Sequence, residues 1–268
     1  MKALIILLLL ASSLGANTSY NIDDIMPKRG TLRLNNAITF VKTSSLLANT
    51  SQLIEEMELQ YGLMNNTQIN LDASIYSIWD RTLSNNQFST KQDDRLGAVT
   101  IGILKSYIPK NHDYGLMVSM KTPVIYNEYF YDNRKLIKEE NNLNFIAYNV
   151  SFYTVISPLT PTLQVQYKNY LSSQYKEKKY VRGDEINIGL TINFSINDDV
   201  TLLWGTNIKN TKKNKLNDSV IEDEKNQMTF LYGAIYELNK KLLFQIISSF
   251  SQETPNVASF SVYTLYKL

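Results

Sequence analysis

Cysteine is absent from this chain, and histidine occurs once, as His112. Without thiols, no disulfide framework can hold a small secreted domain together. A zinc site would need three carboxylates beside the single imidazole, an unusual donor set. Hydrolase chemistry of the serine–histidine or histidine–aspartate kind would depend on the same residue. His112 stands beside Asp113 in the short segment 109–113, where a histidine is ordinarily a solvated turn residue. There is also no glycine-rich phosphate loop, so the sequence points away from an enzyme and calls for no cofactor or metal. Charge of one sign is missing too. The 27 Lys+Arg against 25 Asp+Glu leave +2, which provides no basic surface for nucleic acid. Proline and glycine are sparse, at 6 and 10, and no stretch rich in them marks a linker. Beyond residue 16 no run approaches the ~18 apolar residues of a membrane helix.

What is present begins with a leader. Met1-Lys2, an apolar run over 3–10 and small residues up to Ala16 have the form of a secretory signal peptide. Residues 17–29 follow without alternation and are read as a periplasmic segment able to fold into the mouth of whatever comes next.

From residue 30 to 268 the dominant signal is period two. In 185–196, Ile186, Ile188, Leu190, Ile192, Phe194 and Ile196 share one face, while Asn187, Gly189, Thr191, Asn193 and Ser195 share the other. Comparable patterns give about twelve strands, near 31–42, 52–63, 68–80, 95–107, 113–122, 143–156, 162–172, 185–196, 200–210, 227–238, 241–252 and 257–268. Most are ten to fourteen residues long, against roughly five or six in ordinary globular sheets. A twelve-residue strand tilted by ~45° rises about 28 Å, close to the hydrocarbon thickness of a bilayer. Short turns near 65–67, 109–112, 158–161, 197–199 and 239–240 alternate with longer polar links at 43–51, 81–94, 123–142, 173–184 and 211–226. That asymmetry belongs to transmembrane barrels with tight periplasmic turns. Tyr61, Tyr107, Tyr114, Phe194, Tyr236, Phe244 and Tyr266 all lie beside the short turns, as a periplasmic aromatic girdle would. Trp79 is placed for the outer one. The fold class is therefore all-β: a single antiparallel up-and-down barrel of about twelve strands in the outer membrane of a Gram-negative bacterium. Outer-membrane lipid and the barrel-assembly machinery are its expected partners. A soluble secreted β-sandwich also alternates, but it does not need strands of this length.

Three stretches resemble a known family. Glu58-Leu59-Gln60-Tyr61-Gly62-Leu63-Met64, Asp94-Arg95-Leu96-Gly97 and the run from Tyr114 to Pro123 are similar to motifs of the phenol meta-pathway degradation-like outer-membrane proteins. The likeness covers roughly residues 50–125. It departs from the family pattern at Asp93, which stands where a glycine is usual, and at Val124-Ile125 after Pro123. The resemblance implies a closed barrel of about twelve strands that passes small solutes, aromatic or apolar ones among them.

The polar face supplies the candidate pore-lining residues. They are Arg33, then Glu56 and Glu58 with Gln60, then Asp72 and Asp80, followed by Lys121, Lys168 and Lys209, with Glu237 and Lys267 further on. Acids gather on the second and third strands and lysines on the fifth to ninth. Facing rows of this kind would set a transverse field across a lumen. The same charges could equally pair and fill a narrow barrel. Two functional readings therefore stand: a passive pore for small solutes, and a structural or surface-interaction barrel with a filled lumen. Loop 123–142, with Tyr126, Tyr129, Phe130 and Tyr131, is the candidate constriction or adhesive tip. The final segment, 257–268, is expected to close the ring against strand 31–42 and to carry Phe260, Val262, Thr264, Tyr266 and Leu268 toward lipid. Such a strand resembles the C-terminal signal that assembly machinery reads.

Overall fold

The computed structural model describes residues 28–267 except 45–47, 85–86, 110–112, 133–134, 141–143, 176–177, 198, 240 and 252–256. The signal-peptide reading of 1–16, nearly all of the 17–29 segment, His112 and Leu268 lie outside the described residues. The first strands are β1 (Leu32–Ser44), β2 (Ala48–Met64), β3 (Thr67–Ser84), β4 (Gln87–Tyr107), β5 (Tyr114–Asp132) and β6 (Lys135–Glu140). They are followed by β7 (Phe145–Thr154), β8 (Leu159–Tyr170), β9 (Ser173–Tyr175), β10 (Lys178–Val181), β11 (Glu185–Ser195) and β12 (Val200–Thr211). The chain finishes with β13 (Asn214–Leu216), β14 (Ser219–Glu222), β15 (Lys225–Asn239), β16 (Leu242–Ser251) and β17 (Val257–Lys267).

Twelve of these strands form a ring. The order β4-β3-β2-β1-β17-β16-β15-β12-β11-β8-β7-β5 is closed by the β4–β5 pairing, and β6 pairs with the outer part of β5. The seam between β1 and β17 runs from Arg33↔Lys267 to Thr43↔Val257. Inside it Thr39 Oγ1 donates to Ser261 Oγ at 2.9 Å. Closure removes both sheet edges and pairs the backbone groups that lipid would leave unsatisfied.

The two faces of the strands differ as a membrane requires. Ile186, Ile188, Leu190, Ile192 and Phe194 of β11 are all exposed on the outside, and Phe260 and Tyr266 of β17 are too. Tyr61, Tyr107, Tyr114, Phe194, Tyr236 and Tyr266 stand exposed at the turn end of their strands, forming the aromatic girdle. Glu55 breaks this band. It lies on the outer face between Ile38 and Ile75, and the described residues offer it no hydrogen bond or ion pair. A carboxyl in that band is costly. We therefore expect Glu55→Leu to raise unfolding stability by roughly 1–2 kcal/mol in urea titrations of vesicle-inserted protein. A loss of stability would show that the carboxyl is anchored by a polar partner.

The structure corrects the loop boundaries. Segment 81–94 is not a link, because β3 and β4 continue as a hairpin to Ser84↔Gln87. Segment 123–142 is a second hairpin, from β5 and β6. Segments 173–184 and 211–226 contain β9, β10, β13 and β14, which join into one four-stranded sheet. These extensions continue past the lipid-facing band, so no bilayer demands apolar alternation there, and charged residues conceal the strands. The turn expected at 158–161 ends sooner, since Leu159 already belongs to β8.

The quoted motifs mark irregularities in the ladder. Gly97 lies where the β3–β4 register shifts between Ala73 and Ile75, and Ala98 N donates to Ser74 Oγ at 3.2 Å. Pro123 lies where the β4–β5 register shifts between Val99 and Thr100. Proline lacks the donor that a regular ladder needs, so a bulge accommodates it. Gly62 opens the shift at the end of the β2–β3 hairpin.

Candidate functional site: the barrel interior

Cross-strand register assembles the inner wall. Asn35, Glu58 and Asp72 are successive partners across β1, β2 and β3. Asp72 is opposite Thr100 of β4, and two residues on, Gly102 is opposite Lys121 of β5. Because Gly102 has no side chain, Lys121 can lie over β4. A Cβ added at Gly102 would stand 2.8 Å from Lys121 Cγ. Lys121 Nζ thereby reaches Asp72 Oδ2 at 2.8 Å and lies 4.0 Å from Glu58 Oε1. Thr100 Oγ1 donates to Asp72 Oδ2 at 2.7 Å. Asn35 Nδ2 donates to Glu58 Oε2 at 2.7 Å and Asn70 Nδ2 to Oε1 at 2.8 Å. Gln68 Nε2 completes the chain on Asn70 Oδ1 at 2.7 Å. With Glu56 beside it, the patch holds three carboxylates and one ammonium.

This placement revises the two-row picture. Lys121 was grouped with the lysines of the facing wall, but it lies across β4 on the acids. Side chains long enough to cross a neighbouring strand do not stay in the row their strand assigns. Lys168 and Lys209 do occupy the other wall, and a carboxylate not singled out in the sequence stands with them. Lys209 Nζ pairs with Glu185 Oε2 at 3.0 Å, and Arg182 is 3.3 Å from Glu185 Oε1. Tyr170 OH donates to the same Oε1 at 3.2 Å. Lys168 Nζ lies 3.9 Å from the centre of the Phe145 ring, and the Arg182 guanidinium 4.3 Å from that of Tyr170, both within cation–π range. Arg182 also donates to Tyr126 OH, and Tyr126 meets Phe145 edge-on at 5.5 Å. These residues come from the long-loop ends of β5, β7, β8 and β11, so the cluster sits at the extracellular mouth.

The remaining expected residues are more dispersed. Arg33 is buried near the periplasmic end of β1, opposite Gln60 and Lys267. Glu237 lies opposite Leu243 near the periplasmic end of β15. Asp80 is opposite Thr50 and Lys91 in the register, but its side chain is outside the described residues. The side chains of Tyr129, Phe130 and Tyr131 are outside them as well. Of the expected constriction in 123–142, Tyr126 is the described aromatic that turns inward.

The inner face is not uniformly polar, contrary to the sequence reading. Ala37, Leu203, Leu231, Ile235, Leu243, Ile247, Tyr263 and Leu265 form a buried apolar cluster on the β12–β15–β16–β17–β1 wall. Further toward the extracellular side, that wall turns to small hydroxyls, and Ser249 Oγ and Ser259 Oγ lie 2.7 Å apart. In β16 the run Leu242-Leu243-Phe244 is apolar on both faces, and alternation alone cannot reveal which of them looks inward.

No protein-family model matches the chain, and no curated protein matches it by sequence. Its fold is similar to that of an outer membrane channel from Pseudomonas putida, with a TM-score of 0.71 and 10% identity over 90% of this chain and 96% of that one. The transport unit of the autotransporter AIDA-I from Escherichia coli is similar at a TM-score of 0.51 and 9% identity, over 97% of both chains. Identities this low speak to the fold. The chain is a closed twelve-stranded outer-membrane β-barrel.

Proposed function

We propose that the barrel is a passive pore for small solutes across the outer membrane, with its charged inner wall acting directly on what passes. One observation carries this reading. The side chains of Lys121, Glu58 and Asp72 point inward in the periplasmic half of the barrel, yet they retain 33%, 21% and 22% of their solvent exposure. A tightly filled lumen would bury them. Twelve strands enclose more room than the eight whose interior side chains just fill it. Diffusion through this interior needs no cofactor, and the wall supplies selectivity through its charges.

The relation to the phenol meta-pathway degradation-like proteins, and with it passage of aromatic compounds, belongs to the same proposal. So do the leader over 1–16, the periplasmic segment 17–29 and delivery of the chain to the barrel-assembly machinery. The apolar cluster of the inner wall favours a second reading, a structural barrel whose lumen is filled. Planar-bilayer recording separates the two. We expect steady single-channel steps from the purified protein, and their absence at all voltages would leave the filled barrel. Swelling of protein-containing liposomes in aromatic and in hydrophilic solutes of equal size then ranks the solute classes.

A further inference from the structure

The periplasmic end of the ring carries its charge unevenly. Lys241 precedes β16, Lys28 and Arg29 precede β1, and Lys105 lies near the end of β4; all four are exposed. They fall on one arc, because β16, β17, β1, β2, β3 and β4 are consecutive neighbours in the ring. At ~4.8 Å per strand the arc spans about 24 Å. Among the described residues, no side-chain carboxylate occupies the last five positions of any of these strands at this end. Asp113, Asp199 and Glu237 all lie on the remainder of the rim.

The backbone fixes these cations in place. Thr31 N donates to Lys28 O at 3.0 Å across a turn in which Gly30 has φ 77°. Gly30 N donates to Gly62 O at 2.8 Å, which holds Lys28 and Arg29 beside the end of β2. Lys267 N donates to Lys241 O at 2.9 Å, and Lys241 N donates to Asn239 Oδ1 at 2.8 Å. Lys105 is on the lipid-facing side of β4, between Thr67 and Val118 in the register and between Ile103 and Tyr107 along the strand. An ammonium on that face reaches the headgroups only by laying its stem along the wall. None of the four makes an ion pair with the described residues. Tyr61, Tyr107 and Tyr266 of the same arc mark the membrane–water boundary, so these cations stand at the level of lipid phosphates. On the bilayer side of them the outer surface is apolar, with Leu34, Leu59, Leu71 and Ile103 exposed.

We infer that the periplasmic arc from β16 to β4 is a docking surface for anionic phospholipid of the periplasmic leaflet. The phosphates pair with Lys28, Arg29, Lys105 and Lys241, and the acyl chains lie on the apolar band. A zwitterionic phospholipid with the same chains keeps the apolar contact but brings no net charge to the cations. The remainder of the rim, with its carboxylates, repels the anionic headgroup. The surface faces away from the lumen and does not depend on the pore reading above.

Lipid titration followed by native mass spectrometry, on the full-length protein in a neutral detergent, tests the surface. A Lys or Arg near an anionic headgroup contributes about fivefold. A phosphate shared by two of the four should therefore favour phosphatidylglycerol over phosphatidylcholine with identical chains by about 25-fold. Lys105→Gln should lower that ratio several-fold, and the combined Lys28→Gln, Arg29→Gln, Lys105→Gln and Lys241→Gln variant should bring it close to one. Lys213→Gln removes the same charge from an exposed site at the extracellular end and should leave the ratio unchanged. Glycerol 1-phosphate, which has the phosphate and no chains, should not bind measurably. Heat-modified gel migration verifies that each variant is folded. Equal retention of the two lipids by the native protein would overturn the inference, and so would an unchanged ratio in the folded fourfold variant. An equal fall in Lys213→Gln would also overturn it, since net charge rather than the arc would then set the preference. Tight binding of glycerol 1-phosphate would make the arc a site for free phosphate instead of lipid.

Discussion

Glu58→Lys combined with Asp72→Lys should convert the interior from cation-preferring to anion-preferring. In the native patch Glu56, Glu58, Asp72 and Lys121 sum to −2, and the double variant brings the sum to +2. One unit charge about 7 Å from a passing ion is worth ~0.6 kcal/mol in water. Physiological salt removes somewhat more than half of that over such a distance. A swing of four charges thus leaves about 1 kcal/mol, opposing cations and favouring anions by similar amounts. The permeability ratio should therefore move by about 30-fold, each 1.4 kcal/mol being a factor of ten. Reversal potentials in a salt gradient measure it. An unchanged reversal potential would place the ion path away from β2 and β3. Gly102→Leu provides a subtler check on the same wall. Its side chain occupies the space of the Lys121 stem and should push the ammonium off Asp72, leaving the acids less compensated and cation preference stronger.

Arg182→Ala should widen the extracellular mouth. The arginine precedes β11 and reaches past β8 and β7 to Tyr126 on β5. That contact spans three of the twelve inter-strand steps of the ring, so the side chain cuts a chord across a quarter of the circumference. Its stacking on Tyr170 and its pairing with Glu185 hold it there. Conductance through a water-filled pore scales with its narrowest cross-section, so a roughly twofold rise in single-channel conductance is expected. Tyr126→Phe removes the hydroxyl at the end of the chord while the ring stack remains, and should give part of that rise. A fall in conductance in either variant would mean that Arg182 attracts the permeating species rather than obstructing it. The barrel itself should survive both changes, because Lys209 continues to neutralise Glu185.

The sequence was most informative where the membrane imposes its own rule. In β11 every second residue must face lipid, so 185–196 revealed strand, face and boundary to within one residue of Glu185–Ser195. The aromatic girdle was legible for the same reason, since rings at the turn level have one allowed environment. Above the bilayer no lipid enforces alternation, and the charged residues of β4 around Lys91 and Asp94 form a strand without announcing it. The inner wall was legible as a set of residues but not as a set of contacts. That Lys121 joins Asp72 depends on register and on the missing side chain at Gly102, neither of which alternation encodes. Arg182 lies outside the alternating segments altogether, and Tyr126 is part of what reads as a loop. Only the folded ring brings the two together.

The extracellular sheet has a consequence for how such a surface can change over generations. Tyr180 and Val181 of β10 pair with Leu216 and Lys215 of β13, which ties the β8–β11 connection to the β12–β15 connection. Gly183 N donates to Asn214 Oδ1 at 2.7 Å, and Lys212 N donates to Asp184 O at 2.9 Å. A Cβ at Gly183 would stand 2.0 Å from the Lys212 carbonyl oxygen. Surface loops that stand alone can be exchanged or lengthened one at a time. These two cannot: a recombination or a tag insertion that replaces one loses the partner strand of the other. The two connections are structurally one unit, although some thirty residues separate them along the chain.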